Sequence, residues 1–158
     1  MNPIDFSSLE KKSKTINKRS DELTEALAAI NKKLNSLNLG IEVFCSGALE
    51  TTCETRMDDT HHGEPEREFD ISTYLGYGKY LDKWGLLLKT ETLEKALDDD
   101  NYREWREHDS ERIFLLSAPR QLRMKAVDDI GEVVRLLEKE ADNLEASVGK
   151  AKKIAESL

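Results

Sequence analysis

Aromatic residues make up only 6% of this chain, and it has two cysteines and three prolines. Two cysteines build no disulfide framework, and free thiols in a reducing compartment are expected instead. Unbroken apolar runs such as Ile113–Leu116 fall far short of the roughly 18 residues that a membrane-spanning helix needs. The opening, Met-Asn-Pro-Ile-Asp-Phe-Ser-Ser, has no basic stretch followed by an apolar one. A secretory signal is therefore not expected, and the expected location is cytoplasmic. Neither a nucleophile elbow nor a His-Glu-x-x-His helix is present. What remains is 38% apolar and 35% charged over 158 residues. That composition describes one soluble, helix-rich domain large enough for a real core.

The net charge of −8 is unevenly placed. Residues 1–40 carry 7 basic and 5 acidic side chains, residues 41–116 carry 9 and 19, and residues 117–158 carry 8 of each. All the surplus acid thus lies in the middle of the chain. Such a surface repels phosphate backbones, so no nucleic-acid partner is expected, and a basic protein partner is the alternative.

Two seven-residue repeats dominate the rest. Val127, Ile130, Val134, Leu137, Ala141, Leu144, Val148, Ala151, Ala155 and Leu158 alternate spacings of three and four. Phe6, Leu9, Ile16, Leu23, Leu27, Ile30, Leu34 and Leu37 keep the same rule, with Ser13 and Ser20 filling the gaps. Each repeat places an apolar stripe along a long helix. The first helix is expected over 5–38, opened by a Ser7-x-x-Glu10 capping box and closed at Gly40. The second is expected over 118–156, with Pro119 in its first turn.

Between them the period changes to two. Ile41, Val43 and Cys45 alternate with polar neighbours, and Thr51-Thr52-Cys53 is expected to be the hairpin partner of that strand. Residues 54–67 read as a mobile loop. Phe69 to Tyr77 and Trp84 to Leu88, around a turn near Leu81-Asp82-Lys83, form the best hairpin in the chain. Residues 93–116 read as an acidic connection with a short helical turn. The expected fold is α+β: two long heptad-patterned helices flanking an antiparallel β-meander of three or four strands over 41–92. With short connections, three strands make the helices parallel and four make them antiparallel.

Length then becomes an argument about association. A compact domain of this size has a radius of gyration of roughly 15 Å. The second helix alone would span nearly 60 Å. Strands of five to eight residues reach only about 17–27 Å. The sheet therefore covers part of each stripe, and the rest needs the other helix or a second chain. Coiled-coil-like packing into a homodimer or higher homo-oligomer through the helical seams is expected.

Candidate chemistry is sparse. Arg120 and Arg123 stand at seam positions in the first turns of the second helix, where positive charge opposes the macrodipole. With Lys79 they form a candidate anion site, or else they pair with acids such as Glu66, Asp70 or Asp98. Tyr74, Tyr77, Tyr80 and Trp84 gather at one hairpin, and Tyr74, Tyr77 and Trp84 are candidate pocket residues. Gly76-Tyr77-Gly78-Lys79 lacks the spacing of a phosphate loop, and its glycines mark a close backbone approach. Cys45, Cys53, His61 and His62 match no zinc-knuckle spacing, and no metal or cofactor is expected. Asp58-Asp59 and Asp98-Asp99-Asp100 read as solvated turns. Arg56-x4-His61 and Arg103-x4-His108 resemble the Arg-x4-His pattern of HEPN ribonucleases. The resemblance covers those pairs alone; that family is all-helical, whereas Arg56 and His61 fall between expected strands and Arg103 and His108 in an acidic segment. The leading expectation is a non-enzymatic cytosolic interaction module. The alternatives are a sensor or enzyme for a small anion near the start of the second helix, and a metal-dependent hydrolase.

Overall fold

The computed structural model describes residues 5–56, 67–97, 103–107 and 110–157. Its two helices are unbroken: α1 is Ser7–Ser36 and α2 is Arg120–Glu156. At 1.5 Å per residue they are about 45 and 55 Å long. Between them lie β1 (Val43–Phe44), β2 (Glu50–Arg56), β3 (Arg67–Tyr80), β4 (Lys83–Leu97), β5 (Arg103–Glu107) and β6 (Glu111–Phe114). The fold is α+β, with one antiparallel sheet. Its count, five strands of four residues or more plus the two-residue β1, exceeds the three or four expected.

The excess arises at the sheet edges. β1 and β2 both pair with β3, and β5 and β6 both pair with β4. Thr51-Thr52-Cys53 is thus not a hairpin partner of β1 but continues its row. Between the pairs Phe44↔Gly76 and Glu50↔Thr73, five residues on one side face two on the other. The Cys45 and Leu49 N–H groups still donate to Leu75 and Thr73 carbonyls at 2.8 and 2.7 Å. The Ser46-Gly47-Ala48 stretch that resembles a turn is a wide bulge in an edge strand. The acidic connection also changes identity: β4 runs on to Leu97, and β5 and β6 occupy much of the stretch expected to be helical turn and loop.

The central hairpin follows expectation. Leu81 and Asp82 both take positive φ, 47° and 61°, the left-handed pair whose twist suits a two-residue connection. Pairing runs from Tyr80↔Lys83 to Glu68↔Lys95. Paired residues share a face, so Leu75, Tyr77, Leu86 and Leu88 line one side and Leu87 the other. The first side carries the core. Leu27 and Leu34 of α1, and Ala126, Val133 and Leu137 of α2, are buried in one cluster with it and with Val43, Cys45 and Leu115.

Both helices run the same way. The Leu86 N–H donates to Asn31 Oδ1 at 2.7 Å, and the Asn35 amide donates to the Trp84 carbonyl at 3.0 Å, so α1 runs against β4. Lys125 pairs with Glu50, opposite Thr73, and the Cys45 thiol, beside Leu75, points at the Asp129 carbonyl. α2 therefore runs with β3, and β3 opposes β4. Arg120 donates to Asn17 at 3.0 Å and Arg123 to Thr24 at 2.8 Å, which fixes the shared direction. A short link alone would not produce this. After β6 the chain turns through a 3-10 segment, Leu115–Ser117, and an extended Ala118-Pro119 before α2 begins. Leu115 and Ala118 are buried, so this link is part of the core.

The ends of α1 depart from sequence expectation in two respects. The Ser7–Glu10 capping box does not form. Asp5 instead accepts from the Ser7 N–H at 2.9 Å and its hydroxyl at 3.1 Å. That backbone hydrogen bond holds the Asp5 carboxyl below its ordinary range. At the other end α1 stops earlier than expected: Leu37 is the C-cap and Asn38, φ 48°, is the left-handed residue that follows it, with Gly40, φ 63°, further along the link.

Candidate functional site

The most unusual surface is the pair of helical overhangs. Along α1 the stripe is covered at Ser20, Leu27 and Leu34, yet Phe6, Leu9 and Ile16 are 57%, 61% and 52% exposed. Along α2 the covered line is Leu122, Ala126, Ile130, Val133 and Leu137. Beyond Ala141 every described residue to Ser157 is exposed, including Leu144 at 56% and Val148 at 47%. Shared direction with contact at Asn17–Arg120 leaves the start of α1 and the end of α2 projecting at opposite ends. Each helix is therefore out of reach of the other's bare flank. Two seam assignments are corrected: Val127 is 43% exposed beside a fully covered Ala126, and Val134 is half-buried beside a fully covered Val133. Over the sheet α2 follows the 3.6-residue period of a straight helix rather than the 3.5-residue seam.

Arg120 and Arg123 do come together, on the flank of α1. Their partners are the Asn17 amide oxygen and the Thr24 hydroxyl, both neutral. Among the described residues neither guanidinium meets a carboxylate. The Nε of Arg123 is buried without a partner. A cleft of about 210 Å³ opens beside Arg120, lined by Ile16, Arg19, Leu23 and Met124 among others. Lys79 does not join this group. It pairs with Asp82 at 3.2 Å by the hairpin turn, near Asn35, some 18 residues or roughly 27 Å along α1 from Asn17. Of the acids named as structural partners, Glu66 and Asp98 lie outside the described residues.

The aromatic group is split by the sheet. Tyr77 and Trp84 stack on the core face, centroids 5.7 Å apart, and the Tyr77 hydroxyl donates to Asn35 Oδ1. Burial raises the Tyr77 pKa. Tyr74 pairs with Lys89 on the opposite face, whose ammonium lies 4.7 Å from the Phe44 ring centre and 5.9 Å from that of Tyr74. The three pocket candidates therefore share no cavity. Gly76 and Gly78 lie mid-strand, against Phe44 and Glu42, the close approach that their spacing implies. Arg112 holds Glu42 through two hydrogen bonds of 2.8 and 2.9 Å.

Asn31 and Asn35 are the residues that sequence reasoning misses. They stand one helical turn apart and satisfy β4 backbone groups at the end of the strand beyond its pairing with β6. The only available signal was two amides at four-residue spacing on one flank of α1.

Neither cysteine is in a disulfide; Cys45 is buried and Cys53 exposed. Burial, reinforced by Asp129 and Glu132, pushes the Cys45 thiol up to about 11. A thiol-alkylating reagent at pH 8 is expected to label Cys53 and leave Cys45 until the chain unfolds. The raised Cys45 value also means that stability is fully present below the ordinary thiol value of 9.0 and declines as pH rises towards 11. Denaturant midpoints across that range check the sign.

No group of metal-ligating side chains occurs among the described residues. His61, His62, Asp58-Asp59, Asp98-Asp99-Asp100 and His108 lie outside them, while Arg56 and Arg103 fall on strands rather than helices. No described helix is long and apolar enough to cross a membrane. Comparison of the chain with protein-family models, curated proteins and solved structures gave no match.

Proposed function

We propose that this protein is a non-enzymatic interaction module that self-associates through its helical seams. The supporting observation is that both stripes are buried where the sheet reaches them and continue, bare, along unbroken helix. Fully covering a valine, leucine, isoleucine or phenylalanine is worth about 1.5–3 kcal/mol, so Phe6, Leu9, Ile16, Leu144 and Val148 left in water form a strong bias towards association. The acidic middle of the chain disfavours nucleic acid and suits a basic protein as an additional partner. Two reduced thiols fit a cytoplasmic setting. Sedimentation across the micromolar range is expected to give a weight-average mass above the 18.0 kDa chain mass. A monomer at the highest concentrations overturns the reading.

A second reading rests on the arginine pair. Two guanidiniums bound to neutral oxygens, one of them lining an open cleft, suit a small anion with an apolar body. Thermal-shift titration with inorganic phosphate and with medium-chain carboxylates tests it. A rise that Arg120→Gln abolishes supports the reading, and no rise with either class removes it.

A further inference from the structure

We infer that the self-association proposed above is a two-fold dimer in which the α2 tail, residues 141–157, packs antiparallel on the same tail of a second copy. The inference rests on the self-association reading and adds its site, direction and register.

Three features of the tail select this arrangement. The first is continuity: Ala141, Leu144, Val148, Ala151 and Ala155 prolong the same face that Ala126, Ile130, Val133 and Leu137 turn towards the core. An occupant therefore approaches from a side that no element of its own protomer reaches.

The second is size. Large residues come first along the seam, Leu144 and Val148, and small ones follow, Ala151 and Ala155. Antiparallel pairing sets Leu144 over Ala155 of the second copy and Val148 over Ala151, large against small in every layer. Parallel pairing in register sets leucine on leucine and alanine on alanine, which leaves voids between the alanines.

The third is charge. Residues 141–147 carry Asp142 and Glu145 and no base, whereas residues 148–157 carry Lys150, Lys152 and Lys153 against Glu156. Opposed tails lay acid on base, and the same register brings Glu145 beside Lys152 of the second copy, twice by symmetry. A parallel pair instead sets Glu140 beside Glu145. The start of α1 is the competing occupant, being basic with Lys11, Lys12, Lys14 and Lys18. Head-to-tail contact between it and the tail of another copy is heterologous and builds a ring or a filament, whereas the tail–tail contact closes at two. The overlap is short, about 25 Å, so the dimer is expected to be concentration-dependent.

The test uses the full chain with Cys53→Ser. Equimolar V148C and A151C chains are mixed and oxidised mildly. The expected result is a V148C–A151C cross-linked dimer formed faster than either same-site dimer. Faster V148C–V148C linkage means a parallel pair and overturns the inference. Sedimentation supplies the second arm. Glu145→Lys is expected to raise the dimer dissociation constant roughly fivefold, and adding Lys152→Glu to restore it. Leu144→Glu with Val148→Glu, both at exposed positions, is expected to give a folded monomer by circular dichroism. If that variant still associates, self-association stands and the tail is not its site. If the parent chain is monomeric throughout, both readings fall. Mass that grows beyond a dimer with concentration assigns the tail to α1 of another copy and overturns the two-fold arrangement.

Discussion

Gly76→Ala is expected to unfold this protein or lower its stability by about 3 kcal/mol or more, the largest effect expected of an alanine at any described glycine. A Cβ at Gly76 would overlap the Phe44 ring and the Val43 carbonyl. The carbonyl is backbone and cannot rotate away, so β1 would have to leave β3. That carries further, because one line across the sheet runs Phe44, Gly76, Leu87, Phe114. On the face away from the helices, Leu87 is fully buried between Gly76 and Phe114 in that line. Phe44 reaches over Gly76 only because nothing stands there. Displacing it wets Leu87 and withdraws the ring from Lys89 and from Arg112, whose guanidinium lies 5.2 Å from its centre. Gly131→Ala is the control. Its added Cβ meets nothing within 4 Å, and it lies inside α2, so it is expected to stabilise by about 0.5–1 kcal/mol. Urea unfolding of the two variants beside the parent decides it, and equal midpoints for Gly76→Ala and the parent would refute the packing described for β1.

Leu27→Ala and Leu144→Ala remove the same atoms and are expected to do opposite things. Leu27 is 1% exposed and belongs to the central cluster. Truncating it leaves a cavity under α1 and costs about 2–5 kcal/mol. Leu144 is 56% exposed, so its truncation is expected to change the unfolding free energy of the monomer by no more than about 0.5 kcal/mol. Its loss is expected to appear in association, as a dimer that needs several-fold more protein to form. Unfolding at low protein concentration and sedimentation at high concentration separate the two. A Leu144 variant that destabilises the monomer as much as the Leu27 variant would place Leu144 in the core and remove the interface from this flank.

Much of this architecture is legible in the residue order, for reasons that can be named. The long helices are, because an apolar stripe kept in step over ten positions is compatible with little besides a helix. The Phe69–Tyr77 and Trp84–Leu88 hairpin is, because period-two alternation meets a short break at Leu81-Asp82. What hides is whatever depends on a distant partner. Ser46-Gly47-Ala48 has turn chemistry, yet becomes a bulge because β3 is long enough for β1 and β2 to share. β5 and β6 are masked by acid: Asp98-Asp99-Asp100, Glu104, Glu107 and Glu111 outweigh the few strand-forming residues between them. Pairing to β4 supplies what propensity does not. At the candidate sites the sequence brings Arg120 and Arg123 into view but not Asn17 and Thr24. Those two contacts span 103 and 99 residues of chain. Tyr74, Tyr77 and Tyr80 show the same limit from the other side. They are neighbours in the chain, but the pleat sends alternate residues to opposite faces.

The common direction of the two helices has a practical corollary for re-engineering the chain. Most domains bring their ends close together, which is why their order can be cyclised and reopened elsewhere. In this protein Ser7 and Glu156 sit at opposite poles, separated by on the order of 70 Å from the helix lengths and their offset. A circular permutant would need a bridge of roughly 20 extended residues to join them. For the same reason, fluorophores at the two poles would exchange little energy within one molecule, and a dimer joined at its tails would carry its α1 poles outward like the tips of a rod.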